Sequence, residues 1–160
     1  MKSNTQTIEF LTEGELKKLF AVIIKADKKR DKALFLIGYR HGLLASEIGL
    51  LQVSDIDFET MRLNVRRLKG SNSGVNAIQP DEARYLKSYL KARNSDSPFL
   101  FLSKRGLPIS RQMLDVLIKN YGETAGIPAD KRHFHVLKHS IATHLLDAGA
   151  DIKFVQDWLG

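Results

Sequence analysis

The chain contains no cysteine. That absence excludes disulfide bonds, a thiolate nucleophile and every zinc or iron–sulfur site built on thiolates. Long apolar runs are missing too: stretches such as "ALFLI" at Ala33 to Ile37 fall far short of the roughly 20 residues that a membrane-spanning helix needs. The first ten residues, "MKSNTQTIEF", lack the apolar centre of a secretory signal, so a cytoplasmic protein is expected. Acidic residues are the scarcer charge, 18 against 25 Lys and Arg, which leaves a net charge of +7.

What is present suits an ordinary folded domain. A length of 160 residues allows one domain with a hydrophobic core, and 43% hydrophobic with 27% charged residues is the balance of a soluble globular protein. The positive excess suggests a polyanionic partner, and its distribution strengthens the suggestion. Between Met61 and Gln79 stand Arg62, Arg66, Arg67 and Lys69 without an acid, and "KRHFHVLKH" packs Lys131, Arg132, His133, His135, Lys138 and His139 into nine positions. Arg66 and Arg67 alternate sides on a strand, so at most one of them faces such a partner. Arg132 and His133 lie just ahead of a helix, where they suit contacts to phosphate.

"TEGE" at Thr12 to Glu15 is a capping box that starts a helix running to about Lys25. "KKRDKALFLIGYRHG" gives a second helix whose end at Gly42 suits a left-handed cap, and "ASEIGLLQ" a short third, with Ser46 and Glu47 as capping residues. "DIDFETMRLNVRRLKG" alternates around Glu59-Thr60 and predicts a β-hairpin, followed by the Gly- and Ser-rich tip "KGSNSG" and a third strand in "VNAIQP". Pro80 opens a helix to about Arg93, with Asp81 and Glu82 complementing its dipole. "SPFLFL" predicts a short strand, and Ser110 caps a helix reaching Ala125. One helix from about His135 to Ala148 and another from about Asp151 complete the chain. The fold class is α+β, a mostly helical single domain with a small three-stranded antiparallel sheet.

Helical spacing sorts "HVLKHSIATHLLDAG" into a core stripe of Leu137, Ile141, Leu145 and Ala148 and an opposing face of His135, Lys138 and His139. His135 and Lys138 are neighbours on that face and offer a proton carrier beside a fixed charge to a phosphate. The His135 and His139 spacing also matches two zinc ligands on one helix, but no glutamate follows the first histidine and no third ligand is evident. His144 leans toward the apolar stripe as a hydrogen-bonded core residue. Phe154 and Trp158, four apart on the last helix, pack or form an exposed patch.

The order of these blocks resembles the tyrosine recombinase, or phage integrase, family over nearly the whole chain. "IEFLTEGELKKLF" is similar to the start of that family's catalytic domain, and "HGLLASEIGLLQVSDIDF" to its Gly-Leu-Arg-x-Ser-Glu-Leu box with the downstream Asp-Ile-Asp. "RRLKGSNSG" resembles the hairpin that carries the catalytic lysine, and "HVLKHSIATHLLDAGADIKFVQDWLG" the His-x-Leu-Arg-His box with the Leu-Gly beyond it. The hairpin, "FLSKRGLPIS" and the missing N-terminal arm-binding region look like the short fimbrial phase-switch invertases.

The resemblance implies site-specific recombination or integration of double-stranded DNA by a mobile-element type of enzyme, with no metal or nucleotide cofactor. In the family a tyrosine attacks the scissile phosphate, two arginines clamp its oxygens, a lysine protonates the leaving 5′ oxygen and histidines assist. Lys69 would be that acid and His135 the histidine of the box. Arg66, Arg67, Lys69, Arg111, Lys131, Arg132, His133 and His139 would line the DNA.

The sequence departs from the family pattern in three places. Leu44 stands at the first arginine position and Lys138 at the second. Residues 1–160 also end before the nucleophile segment and carry no core-binding domain ahead of the catalytic one. Tyr39, Tyr85, Tyr89 and Tyr121 all precede the box, and Arg40 is separated from Leu44 by a helix end. An inactive DNA-binding fragment is therefore expected, monomeric or weakly associating where family members form tetramers on DNA. The alternative is a non-catalytic DNA-binding or regulatory protein on the same fold.

Overall fold

The computed structural model describes residues 9–67 and 73–160. Lys69, the expected acid on the hairpin tip, lies outside them. The elements in chain order are α1 (Glu13–Ala26), α2 (Lys29–Arg40), α3 (Ala45–Leu50), β1 (Ile56–Asp57), β2 (Arg62–Val65), β3 (Gly74–Ala77), α4 (Pro80–Arg93), α5 (Arg111–Thr124), α6 (Val136–Asp147) and α7 (Ile152–Leu159).

The helices start where side chains can satisfy their first amides. Glu15 N–H donates to Thr12 Oγ1 at 3.1 Å and Thr12 N–H to Glu15 Oε1 at 2.9 Å, so the box ahead of α1 closes in both directions. Met113 N–H donates to Ser110 Oγ at 3.1 Å at the head of α5. The three strands form one antiparallel sheet in the order β1-β2-β3, with Leu63 opposite both Ile56 and Asn76. Leu63 and Val65 point into the core while Arg62 and Asn64 point out.

The middle of α2 is the centre of the molecule. Ala33, Leu34, Phe35, Leu36, Ile37 and Gly38 are all buried, and the helix packs against both α4 and α6. A second, smaller cluster of Ile141, Val155 and Leu159 lies under α7.

Two expectations from the sequence need correction. "SPFLFL" makes only isolated bridges, Gln52 with Phe99 and Leu102 with Pro108, instead of a strand. Its backbone is satisfied by other groups: Leu100 N–H donates to the Leu51 carbonyl at 2.9 Å, Leu102 N–H to Tyr89 Oη at 3.0 Å, and the Phe99 carbonyl accepts from Arg93 Nη1 at 2.6 Å. On α6 the buried positions are Val136, Leu137, Ser140 and Ile141, with Leu145 half-buried and Ala148 exposed. Ser140 enters the stripe because its hydroxyl donates to the Val136 carbonyl at 2.6 Å and accepts from Leu11 N–H at 2.8 Å.

Candidate functional site

The site begins at the turn between α2 and α3. Gly42 takes a φ of +58°, left-handed backbone that a residue without Cβ adopts freely. Leu44 then precedes α3 in extended conformation, and its N–H donates to Glu47 Oε1 at 2.8 Å. Leucine has no side-chain acceptor, so Glu47 alone supplies the cap. Ser46, by contrast, faces outward into a cleft. Leu44 and Ser46 form one wall of that cleft of about 740 Å³, with Arg111 and Gln112 from the start of α5 and His133 and His135 from the approach to α6 around the rest. Arg111 is exposed.

His135 sits at the N-terminal boundary of α6, and its ring faces that of His139 one turn on, centroids 4.7 Å apart. Burial and then the neighbouring charges of His133 and Lys138 hold the His135 imidazole below its ordinary value. His139 is lowered likewise, by burial first and then by His135, His133 and Lys138. Lys138 is half-buried on the same helix, its stem lying against Gly42. Burial, followed by the charge of Arg67, pushes its ammonium below the usual lysine value. Two imidazoles that favour the neutral form and an amine with a loosened proton can therefore exchange protons and hold an anion at the same surface. Among the described residues no three His, Asp or Glu side chains group as metal ligands.

Several residues expected to face DNA are bonded within the chain instead. Arg67 is the clearest correction: its side chain is 1% exposed and bonds to backbone carbonyls, so it reaches no ligand from solvent. Arg66 pairs with Asp55, its Nε 2.9 Å from Oδ2. Lys131 pairs with Glu15 at 2.8 Å. Arg132 donates to the Ile127 carbonyl at 2.6 Å, and its stem fills the space beside Gly122, where a Cβ would lie 2.9 Å from Arg132 Cγ. Arg40 is held by Asp81, with Nη2 2.9 Å from Oδ2, which fixes it away from Leu44's cleft. The cap expected from Glu47 is present; what sequence reading missed is that the same oxygen lies 3.4 Å from Arg67 Nη1. Nothing in the pattern marked Arg67 as buried.

The tyrosines stand outside the cleft. Tyr39 Oη is 2.7 Å from His144 Nδ1, and burial pushes its phenol up to about 12. His144 Nε2 donates to the Leu11 carbonyl at 2.8 Å, so this histidine is a bonded interior residue. Tyr121 Oη donates to Asp31 at 2.6 Å, Tyr89 Oη accepts from Leu102, and Tyr85 lies under the cations of Lys32 and Arg84.

A helical domain of this topology, with imidazoles and a lysine of the box helix brought to the Leu44 turn, has the fold of tyrosine recombinase catalytic domains. The chain belongs to the phage integrase family, which it matches over residues 9–160. It is 40% identical over 153 residues to the tyrosine recombinase XerA of Pyrococcus furiosus, covering 94% of this chain and 52% of that one. It is 34% identical over 164 residues to the type 1 fimbriae regulatory protein FimB of Escherichia coli, covering 99% and 82%. The crystal structure of XerA recombinase superposes with a TM-score of 0.84 at 30% identity over 99% of this chain and 56% of that one. XerH bound to its difH substrate has the same fold, with a TM-score of 0.85 at 23% identity over 99% and 49%. The chain thus spans about half the length of the XerA relatives.

Proposed function

We propose that this domain binds double-stranded DNA across the Leu44–His135 cleft, in the service of site-specific recombination, and that it is catalytically inactive as it stands. The observation that carries the reading is the position of Leu44 on the cleft wall beside His135 and Arg111, in a family fold whose pattern has arginine there. The site-specific recombinase XerH, which shares the fold, binds its difH substrate.

In this reading Arg111, His133, Lys138 and His139 meet backbone phosphates, and Lys69 and His135 move protons at the scissile one. Lys138 keeps the charge of the second family arginine but not its planar fork, so it holds one oxygen where the arginine would hold two. Leu44 supplies neither charge nor donor. Removing a single preorganised donor from comparable sites costs about 10²- to 10³-fold in rate. No tyrosine lines the cleft among the described residues, so the attack on phosphorus is assigned to none of Tyr39, Tyr85, Tyr89 or Tyr121. A DNA partner fits a cytoplasmic location, and we expect the domain alone to be monomeric or weakly associating, with tetramers confined to DNA-bound forms.

Titration of a labelled duplex at several salt concentrations tests the binding. The log–log slope should be steep, about −0.9 for each phosphate neutralised. Leu44→Arg should tighten binding about tenfold and steepen the slope by about one. No binding at low salt, or an unchanged slope in Leu44→Arg, would defeat the reading. A regulatory, non-catalytic DNA-binding role is the second reading, favoured by Leu44 itself. It gains if Leu44→Arg, in a chain extended by the family's nucleophile segment, binds tighter yet forms no protein–DNA adduct on a nicked duplex.

A further inference from the structure

Two histidines one helical turn apart stand on the same face of a helix, where they can share a metal ion. α6 opens with such a pair. His139 N–H donates to the His135 carbonyl at 3.4 Å, so the backbone between them is already helical, and their ring centroids are 4.7 Å apart. An imidazole nitrogen ligates zinc at about 2.0–2.1 Å, which sets each centroid about 3.2 Å from the ion and two ligands at right angles about 4.6 Å apart. The observed spacing needs no movement of the backbone.

Neither ring has a hydrogen-bond partner among the described residues, whereas His41 and His144 are both bonded in the interior. Their nitrogens are open to a ligand. No third His, Asp or Glu joins the pair among the described residues, which sets it apart from structural zinc sites with four protein ligands. The other coordination positions fall to water, or to an oxygen in the cleft that His135 lines. Lys138 adds a positive charge nearby, so the pair holds a cation more loosely than it would alone. Its stem, however, lies against Gly42.

We propose that His135 and His139 chelate a divalent transition-metal ion of the copper, nickel or zinc kind, whose open positions take a phosphate oxygen of DNA bound in the cleft. The second half rests on the reading of this face as the DNA site; the first half does not. The ion acts as a switch on that site. It brings two positive charges to rings that are neutral at pH 8, and it occupies the nitrogen with which His135 would move a proton.

Titration of the metal-free chain with Ni²⁺ at pH 8, read by calorimetry and by broadening of the imidazole NMR signals, tests the site without DNA. Cu²⁺ should bind more tightly than Ni²⁺, and Mg²⁺ should not bind. His135→Gln and His139→Gln should each weaken Ni²⁺ binding about tenfold or more, because one imidazole cannot chelate, while His133→Gln should not weaken it. Both positions are at least partly exposed, so the variants should fold, as their thermal melting will show. Anisotropy of a labelled duplex at pH 8 reads the second half: Ni²⁺ should tighten binding several-fold in the parent and in neither His135→Gln nor His139→Gln. Ni²⁺ binding that is absent, matched by Mg²⁺, unchanged in His139→Gln or weakened as much in His133→Gln overturns the proposal. Ni²⁺ held by the pair with no gain in duplex affinity overturns the DNA reading of this face and leaves the metal site standing.

Discussion

Glu82 is the side chain on which the buried polar groups beside the site converge. It is 1% exposed and accepts from His41 Nε2 at 2.6 Å, from the Gln79 N–H at 2.7 Å and from Arg40 Nη1 at 3.5 Å. His41 in turn faces Asn76, whose Nδ2 lies 3.1 Å from Nδ1; an amide nitrogen only donates, so His41 Nδ1 accepts and Nε2 carries the proton toward Glu82. Removing Glu82 leaves the buried His41 Nε2 without its acceptor, while Arg40 keeps Asp81, and an orphaned buried group is the costly case. Glu82→Ala should therefore lose about 3 to 5 kcal/mol and lower the thermal midpoint by roughly 10 °C. Glu82→Gln, which keeps an acceptor for His41, should lose clearly less; circular-dichroism melting checks both, and a loss below about 1 kcal/mol in Glu82→Ala would sink the argument. The sequence placed Glu82 correctly in the first turn of α4 but showed only its local use against the helix dipole. Its partner His41 lies 41 positions earlier, and no periodicity encodes a pairing at that range. The same blindness applies to Arg67, whose strand alternation with Arg66 said nothing about which of the two would be sealed under α7.

At the level of elements the sequence was most legible where punctuation is local. Thr12 with Glu15, Pro80 and Ser110 each mark a helix start that the structure has, because a cap needs only neighbours within one turn. "SPFLFL" misled because its apolar character matched a strand, while its backbone partners come from Tyr89, Arg93 and Leu51, none of them in a strand. Gly42 shows how one punctuation mark also serves packing. A Cβ there would collide with Leu159 Cδ2 and stand 3.3 Å from Ile141 Cγ2, and the positive φ would be strained as well. α7 is held by the cluster of Ile141, Val155 and Leu159, the Trp158 Nε1 donation to the Arg40 carbonyl at 2.7 Å, stacking of Trp158 on His41 at 5.4 Å, and donation to the Trp158 carbonyl by Arg67 Nη2 at 3.1 Å and Asn76 Nδ2 at 3.4 Å. Gly42→Ala should thus displace α7 before it unfolds the domain, at a cost of about 1 to 3 kcal/mol. Hydrogen exchange should speed up in 152–159 while the amides of α2 and α4 keep their protection; uniform acceleration across the chain would refute a local effect.

Across the whole molecule, the net charge of +7 is less informative than where neutralisable charge remains. Asp55, Glu15 and Asp81 take up Arg66, Lys131 and Arg40, whereas His133, His135, Lys138 and His139 crowd one another near the cleft, with Glu47 as an acidic counterweight to His135 and Lys138. Crowding and burial hold His135 and His139 below the usual 6.5, so the folded chain binds fewer protons than the unfolded one just below that pH. Their contribution to stability is full above 6.5 and is lost as pH falls through the lowered folded values. On the proposed reading DNA reverses the preference, because a phosphate beside either ring would favour the imidazolium and draw a proton on binding. Affinity for duplex should therefore rise as pH is lowered through 6.5, while the free protein becomes less stable over the same interval. The rise should level off once the free protein's own histidines are protonated. In His135→Gln with His139→Gln the pH slope should flatten, whereas the salt slope measured near pH 8, where the parent's imidazoles are already neutral, should stay as it was. Fluorescence anisotropy at constant ionic strength from about pH 8 to 5.5 makes the comparison, and the double variant keeping the parent's pH slope would move the proton uptake away from these two rings.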